Sequence, residues 1–216
     1  MKRRYTHFLS IPCNGSNFRQ GFSAFKTKVL EENVDGTITE SLFQNPAKLH
    51  LTLGVMTLSS DEEKKQAVET LSFCKEHVIS SVLPDGKLNV RMQGISIFND
   101  NPRKASVLYS HVSNPNDEQM VQRLADGVRR CFMEKGLLSE FEKFTLHVTL
   151  MNSYFRSRQM RKMNQTGART FNASDIIKKF AEYDFGIDEI STVELSSFGN
   201  YGEDGYYLPL SKIYFS

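Results

Sequence analysis

Two stretches decide the fold: Lys48-Leu49-His50-Leu51-Thr52-Leu53 and Thr145-Leu146-His147-Val148-Thr149-Leu150. Each is a His-x-Thr motif set in aliphatic residues. In a β-strand, side chains at i and i+2 point to one face. His50 and Thr52 therefore share a face while Leu49, Leu51 and Leu53 share the other. His147 and Thr149 repeat the arrangement against Leu146, Val148 and Leu150. One such motif is what a half-buried strand histidine produces anyway. Two, at corresponding places in the two halves of a chain with five histidines, read as two hands for one phosphate.

Working outward, each half shows the same order of elements. In the first, a strand near Tyr5 to Ile11 precedes a segment with Phe18, Phe22, Phe25 and Val29 at helical spacing. The His50 strand, 48–58, comes next. Ser60 with Glu63 three residues on forms a capping box for a helix carrying Val68, Leu71 and Val78. A strand over 88–98 closes the half, before the Asn99-Asp100-Asn101-Pro102 turn. In the second, a strand over 106–112 leads to Asn114-Pro115, read as N-cap and first helical residue. Val121, Leu124, Val128 and Phe132 form the apolar stripe, and Gly136 stops the helix. The His147 strand, 144–154, precedes a basic segment read as a loop, a short helix capped by Ser174, and strands near 190–198 and 206–215. This order predicts an α+β fold of two pseudo-symmetric lobes. Each is a mixed or antiparallel sheet with helices packed outside, and a central groove carries both motifs. Residues 1–216 read as one two-lobed domain with the lobe boundary near 100–104. The opening Met1 to Tyr5 runs almost directly into a strand, which reads as a domain of something longer.

The net charge of +2 in 216 residues argues for no partner by itself. Two stretches free of acid stand out: 1–30, with Lys2, Arg3, Arg4, Arg19, Lys26 and Lys28, and 155–174, with Arg156, Arg158, Arg161, Lys162 and Arg169. Such runs attract phosphates when they cluster in space and otherwise serve as solvated surface. Cys13, Cys74 and Cys131 form no CxxC pair, so neither a disulfide framework nor a zinc site is expected, and a reducing compartment fits. No signal peptide or membrane-spanning run is read, so no membrane partner is expected. His7 and His111 fall on the strands that open each half, where either could line the groove, though a structural role is the preferred reading for both, and His77 reads as a helix-surface residue. No carboxylate pair has acid/base spacing, no further ligand joins the two motif histidines, and no glycine-rich phosphate loop is present. No metal and no cofactor are expected.

Imidazole titrates near neutrality, so of two rings flanking a phosphate one can take a proton while the other gives one. Thr52 and Thr149 would donate to the non-bridging oxygens. Tyr154 and Phe155 follow the second motif and are candidates to stack on a base. Arg156, Arg158 and Arg169 are candidates to clamp a flanking phosphate. Phe98 and Phe198 occupy matching late-strand positions, where a ring could also stack on a base, but core packing is the preferred reading because phenylalanine is usually buried. Three functions fit: an enzyme cutting phosphodiesters, a module of the same fold that binds nucleotide or RNA without turnover, and a scaffold with a vestigial groove. Retention of all four motif groups argues against the last.

These motifs, with the THFLSIP opening, the NPAKLHLTLGVMTL and FTLHVTLMNSYFR blocks and FNASDIIKKF before the last strands, resemble the two-histidine phosphoesterase superfamily. Within it they resemble the type formed by the A-kinase anchoring protein 7 central domain and by domains of transcription-cointegrator subunits. The resemblance implies that His50 and His147 are the acid/base pair and that Thr52 and Thr149 bind phosphate. It implies RNA or small-nucleotide phosphodiester or cyclic phosphate substrates. It also implies a nuclear setting, with the cytoplasm as the alternative, and protein partners in a coactivator and alkylation-repair complex.

Overall fold

The computed structural model describes residues 4–33, 36–139, 144–164, 166 and 168–216. Lys2 and Arg3 of the first basic stretch lie outside the described residues. In chain order the elements are β1 (His7–Pro12), α1 (Ser16–Glu31), β2 (His50–Met56) and α2 (Asp61–Cys74). A π-helical stretch at Lys75–Ile79 carries α2 into the short α3 (Ser80–Val82). Then come β3 (Leu88–Ile97), β4 (Val107–Ser113), α4 (Met120–Glu134), β5 (Val148–Asn152), α5 (Ser153–Lys162) and α6 (Ser174–Phe180). The chain finishes with β6 (Asp184–Ile190), β7 (Thr192–Tyr201) and β8 (Tyr207–Tyr214). No helix among the described residues is long and apolar enough to cross a membrane.

The strands form one eight-stranded sheet in the order β6-β3-β4-β5-β2-β1-β7-β8, and every neighbouring pair is antiparallel. The fold is α+β, and its pseudo-symmetry axis passes between β2 and β5. Reading outward from that seam, β2-β1-β7-β8 on one side corresponds to β5-β4-β3-β6 on the other. The seam itself is narrow, with Leu51 opposite Val148 as its one strand pair among the described residues. Phe43 bridges to Met151, and the Gln44 N–H donates to the Leu150 carbonyl at 2.8 Å, so a connecting segment takes over where β2 leaves β5.

Helices α1, α2, α4 and α6 cover the face on which the aliphatic residues of the motif strands point. Phe18, Phe22, Phe25 and Val29 of α1 are all buried, as their spacing predicts, each worth about 1.5–3 kcal/mol relative to exposure. Phe25 packs edge-on against Phe180, Tyr183 and Phe185. Gly21 lets α1 lie close on β6: a Cβ there would sit 2.2 Å from the Phe185 carbonyl oxygen. Asp188 of β6 accepts from the Phe18 and Asn17 N–H groups at 2.8 and 3.3 Å, closing the start of α1. The capping box of α2 forms as read, with Ser60 and Glu63 bonded reciprocally. Gly136 ends the α4 region with φ +69°.

Five sequence expectations need correction, the simplest being that Ser174 does not cap α6 but is its first residue, after Ala173. The division near 100–104 does not separate the lobes: β3 pairs with β4, while β7 and β8 lie beside β1. The lobe holding His147 is thus built from 88–190 and the lobe holding His50 from the strands on either side, because antiparallel pairing, not chain order, chooses neighbours. Asn114 does not cap α4, which starts at Met120. Its Oδ1 accepts from the Asn116 and Asp117 N–H groups at 2.8 and 3.0 Å and its Nδ2 donates to the Asn89 carbonyl, an Asx turn that ties β4 to β3. The basic segment after the second motif is helical from Ser153 to Lys162, opened by the Asn152 side chain accepting from the Tyr154 N–H. Finally, β6 is a strand that the sequence reading did not find.

Candidate functional site

Burial separates the two faces of each motif strand. Leu49, Leu51, Leu53, Val148 and Leu150 have no exposure, while His50, Thr52, His147 and Thr149 are partly open. Extending the antiparallel Leu51–Val148 pair by one residue each way sets His50 opposite Thr149 and Thr52 opposite His147. Directly opposed Cβ atoms lie about 4.5–5.5 Å apart and diagonal ones about 7–8 Å. The four side chains therefore make a square, histidines on one diagonal and threonines on the other.

Both imidazoles are fixed in the same way. His50 Nδ1 lies 2.7 Å from the Lys48 carbonyl oxygen, and His147 Nδ1 lies 2.7 Å from that of Thr145. A carbonyl can only accept, so Nδ1 carries the proton and donates. In each neutral ring this leaves Nε2 as a base, at the end away from the backbone bond. Burial pushes both imidazoles down, because it disfavours the cation. His50 falls to about 4, with the backbone bond opposing the shift and the nearby His147 adding to it. His147, more open, is lowered less, again by burial against its backbone bond.

The surroundings differ between the lobes. Beside His50, Phe8 lies 5.4 Å and Tyr207 5.7 Å away between ring centroids. Phe198 stacks on Phe8 at 4.7 Å. Tyr206 shares a buried hydrogen bond of 3.0 Å with Ser10. Lys48 Nζ sits 3.4 Å from the Tyr201 ring centroid and 5.6 Å from that of Tyr207, adding a cation held over rings. Beside His147, Phe98 lies 4.8 Å and Tyr109 5.4 Å away. Phe98 and Phe198 are 51% and 45% exposed, so the expectation of core packing fails for both. They project at matching places, one in each lobe, Phe98 just past the end of β3 against the His147 ring and Phe198 within β7 against Phe8.

The remaining candidates scatter. Arg158 is exposed on α5 and close enough to oppose the upward push that burial and Tyr201 exert on the Tyr207 hydroxyl. Arg156 donates to the Ala168 and Thr170 carbonyls at 3.0 and 2.8 Å, so its guanidinium holds the following segment. Arg169 is exposed, and its carbonyl accepts from Ser153 Oγ. Tyr154 is 56% exposed and Phe155 partly so. His77 lies on the surface, stacked on Phe73. His7 is buried on the helix-covered face, its Nδ1 within 2.8 Å of Thr6 Oγ1. His111, read as structural, is exposed beside Tyr109 instead. Sequence reading passed over Lys48, Tyr109, Tyr206 and Tyr207; for Tyr109 alone a signal existed, its place two residues before His111 on an alternating strand. Among the described residues, no three His, Cys, Asp or Glu side chains converge as a metal centre would require.

The family model described as AKAP7 2'5' RNA ligase-like domain matches residues 5–215. The mouse protein named activating signal cointegrator 1 complex subunit 1 is 32% identical over 95% of this chain, which spans 63% of that protein's length. An uncharacterized protein of Schizosaccharomyces pombe is 27% identical, with 95% of this chain and 94% of that one covered. Among solved structures, Escherichia coli LigT aligns with a TM-score of 0.58 at 16% identity, over 97% of this chain and 96% of LigT. LigT has also been crystallised with 3'-AMP. At that identity the likeness is one of fold.

Proposed function

The chain belongs to the AKAP7 2'5' RNA ligase-like domain family of two-histidine phosphoesterases, and on that footing we propose that its 216 residues act as one two-lobed, metal-independent phosphodiesterase on RNA or small nucleotides. The observation that carries this reading is the square of His50, Thr149, His147 and Thr52 across the seam, with both Nδ1 atoms fixed on backbone carbonyls. A phosphate at its centre has a hydroxyl donor on each side along one diagonal and an imidazole Nε2 on each side along the other, the opposition that in-line displacement needs.

His50, with the lower proton affinity, suits the base: it takes the proton of an attacking water or ribose 2'-hydroxyl at Nε2. His147 enters protonated and gives its Nε2 proton to the departing ribose oxygen. Thr52 and Thr149 donate to the non-bridging oxygens, stabilising charge where it develops. Two imidazoles complete this proton traffic without a metal. The exposed Phe98 and Phe198 supply a ring on each side for a base to stack on. The 3'-AMP held by LigT is a ligand of the class this groove would take.

The test is incubation of the chain with short oligoribonucleotides and nucleoside 2',3'-cyclic phosphates in EDTA, beside His50→Ala and His147→Ala. Cleavage that survives chelation and disappears in both variants is expected. Tight binding with no product would convert the reading to a nucleotide-binding module, and loss of cleavage in EDTA would end the metal-free mechanism. The mouse relative's name makes it a complex subunit, so we further propose that this chain works inside a nuclear coactivator complex. Affinity purification from separated nuclear and cytoplasmic fractions tests that.

A further inference from the structure

Past His147 the groove does not close. Beyond His111 a cavity of about 510 Å³ opens at the end of β4, lined by Gln93, His111 and Thr145 from the motif side and by Gln119 and Gln122 from the α4 side, within the range that holds small organic ligands. Its place follows from register. Tyr109 pairs with Thr149, so Tyr109 and His111 continue the face that carries His147 and Thr149. His111 pairs in turn with Gln93, and Ser113 with Arg91. Thr145, whose carbonyl fixes the His147 ring, lines the cavity, as do Gln119 and Gln122 at the start of α4. A bulge at Gly94, φ +75°, bends β3 beside His111.

The lining is unlike a phosphate site. Among the described residues Arg91 is its one lining Lys or Arg, and its Nη2 is already 2.6 Å from Asp184 Oδ2. Glu118 adds a carboxylate. A second phosphate would meet a neutralised arginine and an acid. What the walls offer in quantity is mixed donors and acceptors: the side-chain amides of Gln93, Gln119 and Gln122, the Ser113 and Thr145 hydroxyls and the His111 ring. An uncharged heterocycle bearing both donors and acceptors matches this chemistry.

Resting on the phosphodiesterase reading, we infer that this cavity is a nucleoside subsite: it takes the base next to the scissile phosphate on the His147 side and reads its edge through the Gln93 and Gln119 amides. The substrate is then a chain with a nucleoside on each side of the reacting phosphate, one stacked among the rings near His50 and one hydrogen-bonded beyond His147.

A substrate–protein cycle tests this. Dinucleoside monophosphates with either nucleoside replaced by an abasic ribose are compared on the native chain, Gln93→Ala and Gln119→Ala. Both glutamines are at least partly solvent-exposed. Removing the base on one side should cost the native chain about tenfold in kcat/KM, the scale of a base-edge hydrogen bond. That loss should vanish in the variants, while removal of the other base costs all three proteins alike. Gln93→Glu should change base preference at the same side only. Equal losses in native and variant chains on both sides would overturn the subsite. Coupling of the variants to an added terminal phosphate, in place of a base, would overturn it too. The cycle is read in parallel as Kd by fluorescence anisotropy of labelled 2'-O-methyl dinucleotides. Absent turnover with intact coupling then counts against the phosphodiesterase reading and leaves the subsite standing.

Discussion

Around His50 the space above the sheet is filled with rings: Phe8, Phe198, Tyr206 and Tyr207. Around His147 the corresponding space holds Phe98 and Tyr109, and His111 beside Tyr109 lines a polar cavity at the end of β4. The strands are equivalent, and so is the bond from each Nδ1 to the carbonyl two residues back. Backbone symmetry places two interchangeable imidazoles, and the unequal packing around them makes their proton affinities differ. Equivalence builds the site, and the inequality gives it direction.

The severest way to break the comparison is to remove one histidine. His50→Ala and His147→Ala should each lower kcat by about 10²–10⁴-fold, with Kd for a non-cleavable dinucleotide little changed. A double variant should fall hardly further, since the rings act as a unit. One histidine that proves dispensable would mean that the lobes are not partners. Next in size, Thr52→Val and Thr149→Val should each reduce kcat by about 10²-fold. A large difference between them would move the phosphate off the centre of the square.

The pH profile sharpens the inequality. With His50 as base at about 4 and His147 as acid, lowered from 6.5, kcat/KM should rise through about pH 4 and fall again below pH 6.5. Tyr207→Ala, which lets water reach His50, should move the rising limb upward and leave the falling limb in place. The same burial affects stability. His50 takes up a proton more readily unfolded than folded, so between pH 6.5 and about 4 the unfolded state binds more protons and stability falls as pH falls. Urea midpoints should show that slope, flattened in His50→Gln. The smallest effect belongs to α5: Arg158→Ala should raise KM a few-fold at low salt and less at high salt.

Much of this was legible in the chain. Period-two alternation put the four motif groups on one face, and helical spacing of Phe18, Phe22 and Phe25 named the buried side of α1. What escaped depends on partners distant in sequence. Asp184-Phe185-Gly186-Ile187-Asp188-Glu189-Ile190 is too charged and glycine-interrupted to read as a strand. It becomes one by pairing with β3 and closing the end of α1 through Asp188. The α5 residues carry no apolar stripe, and their helix is set by the Asn152 cap. Core packing does not hold for Phe98 and Phe198 because residue type alone says buried, and only the strands packed around them show that both rings stay half open beside the motif groups.

The exchange of strands between lobes has a consequence for the order in which the site comes into being. A ribosome releases every strand of the His147 lobe, together with α1 beneath it, by residue 190. The His50 lobe must then wait for β7 and β8. During that interval β1 has an open edge and His50 stands without Phe198, Tyr206 or Tyr207 beside it. The ring-lined half of the groove, where burial lowers the proton affinity of His50, is the last part of the nascent chain to be assembled, so a premature stop after β6 would keep every residue that lines the polar cavity and open His50 to water on the side of the missing rings.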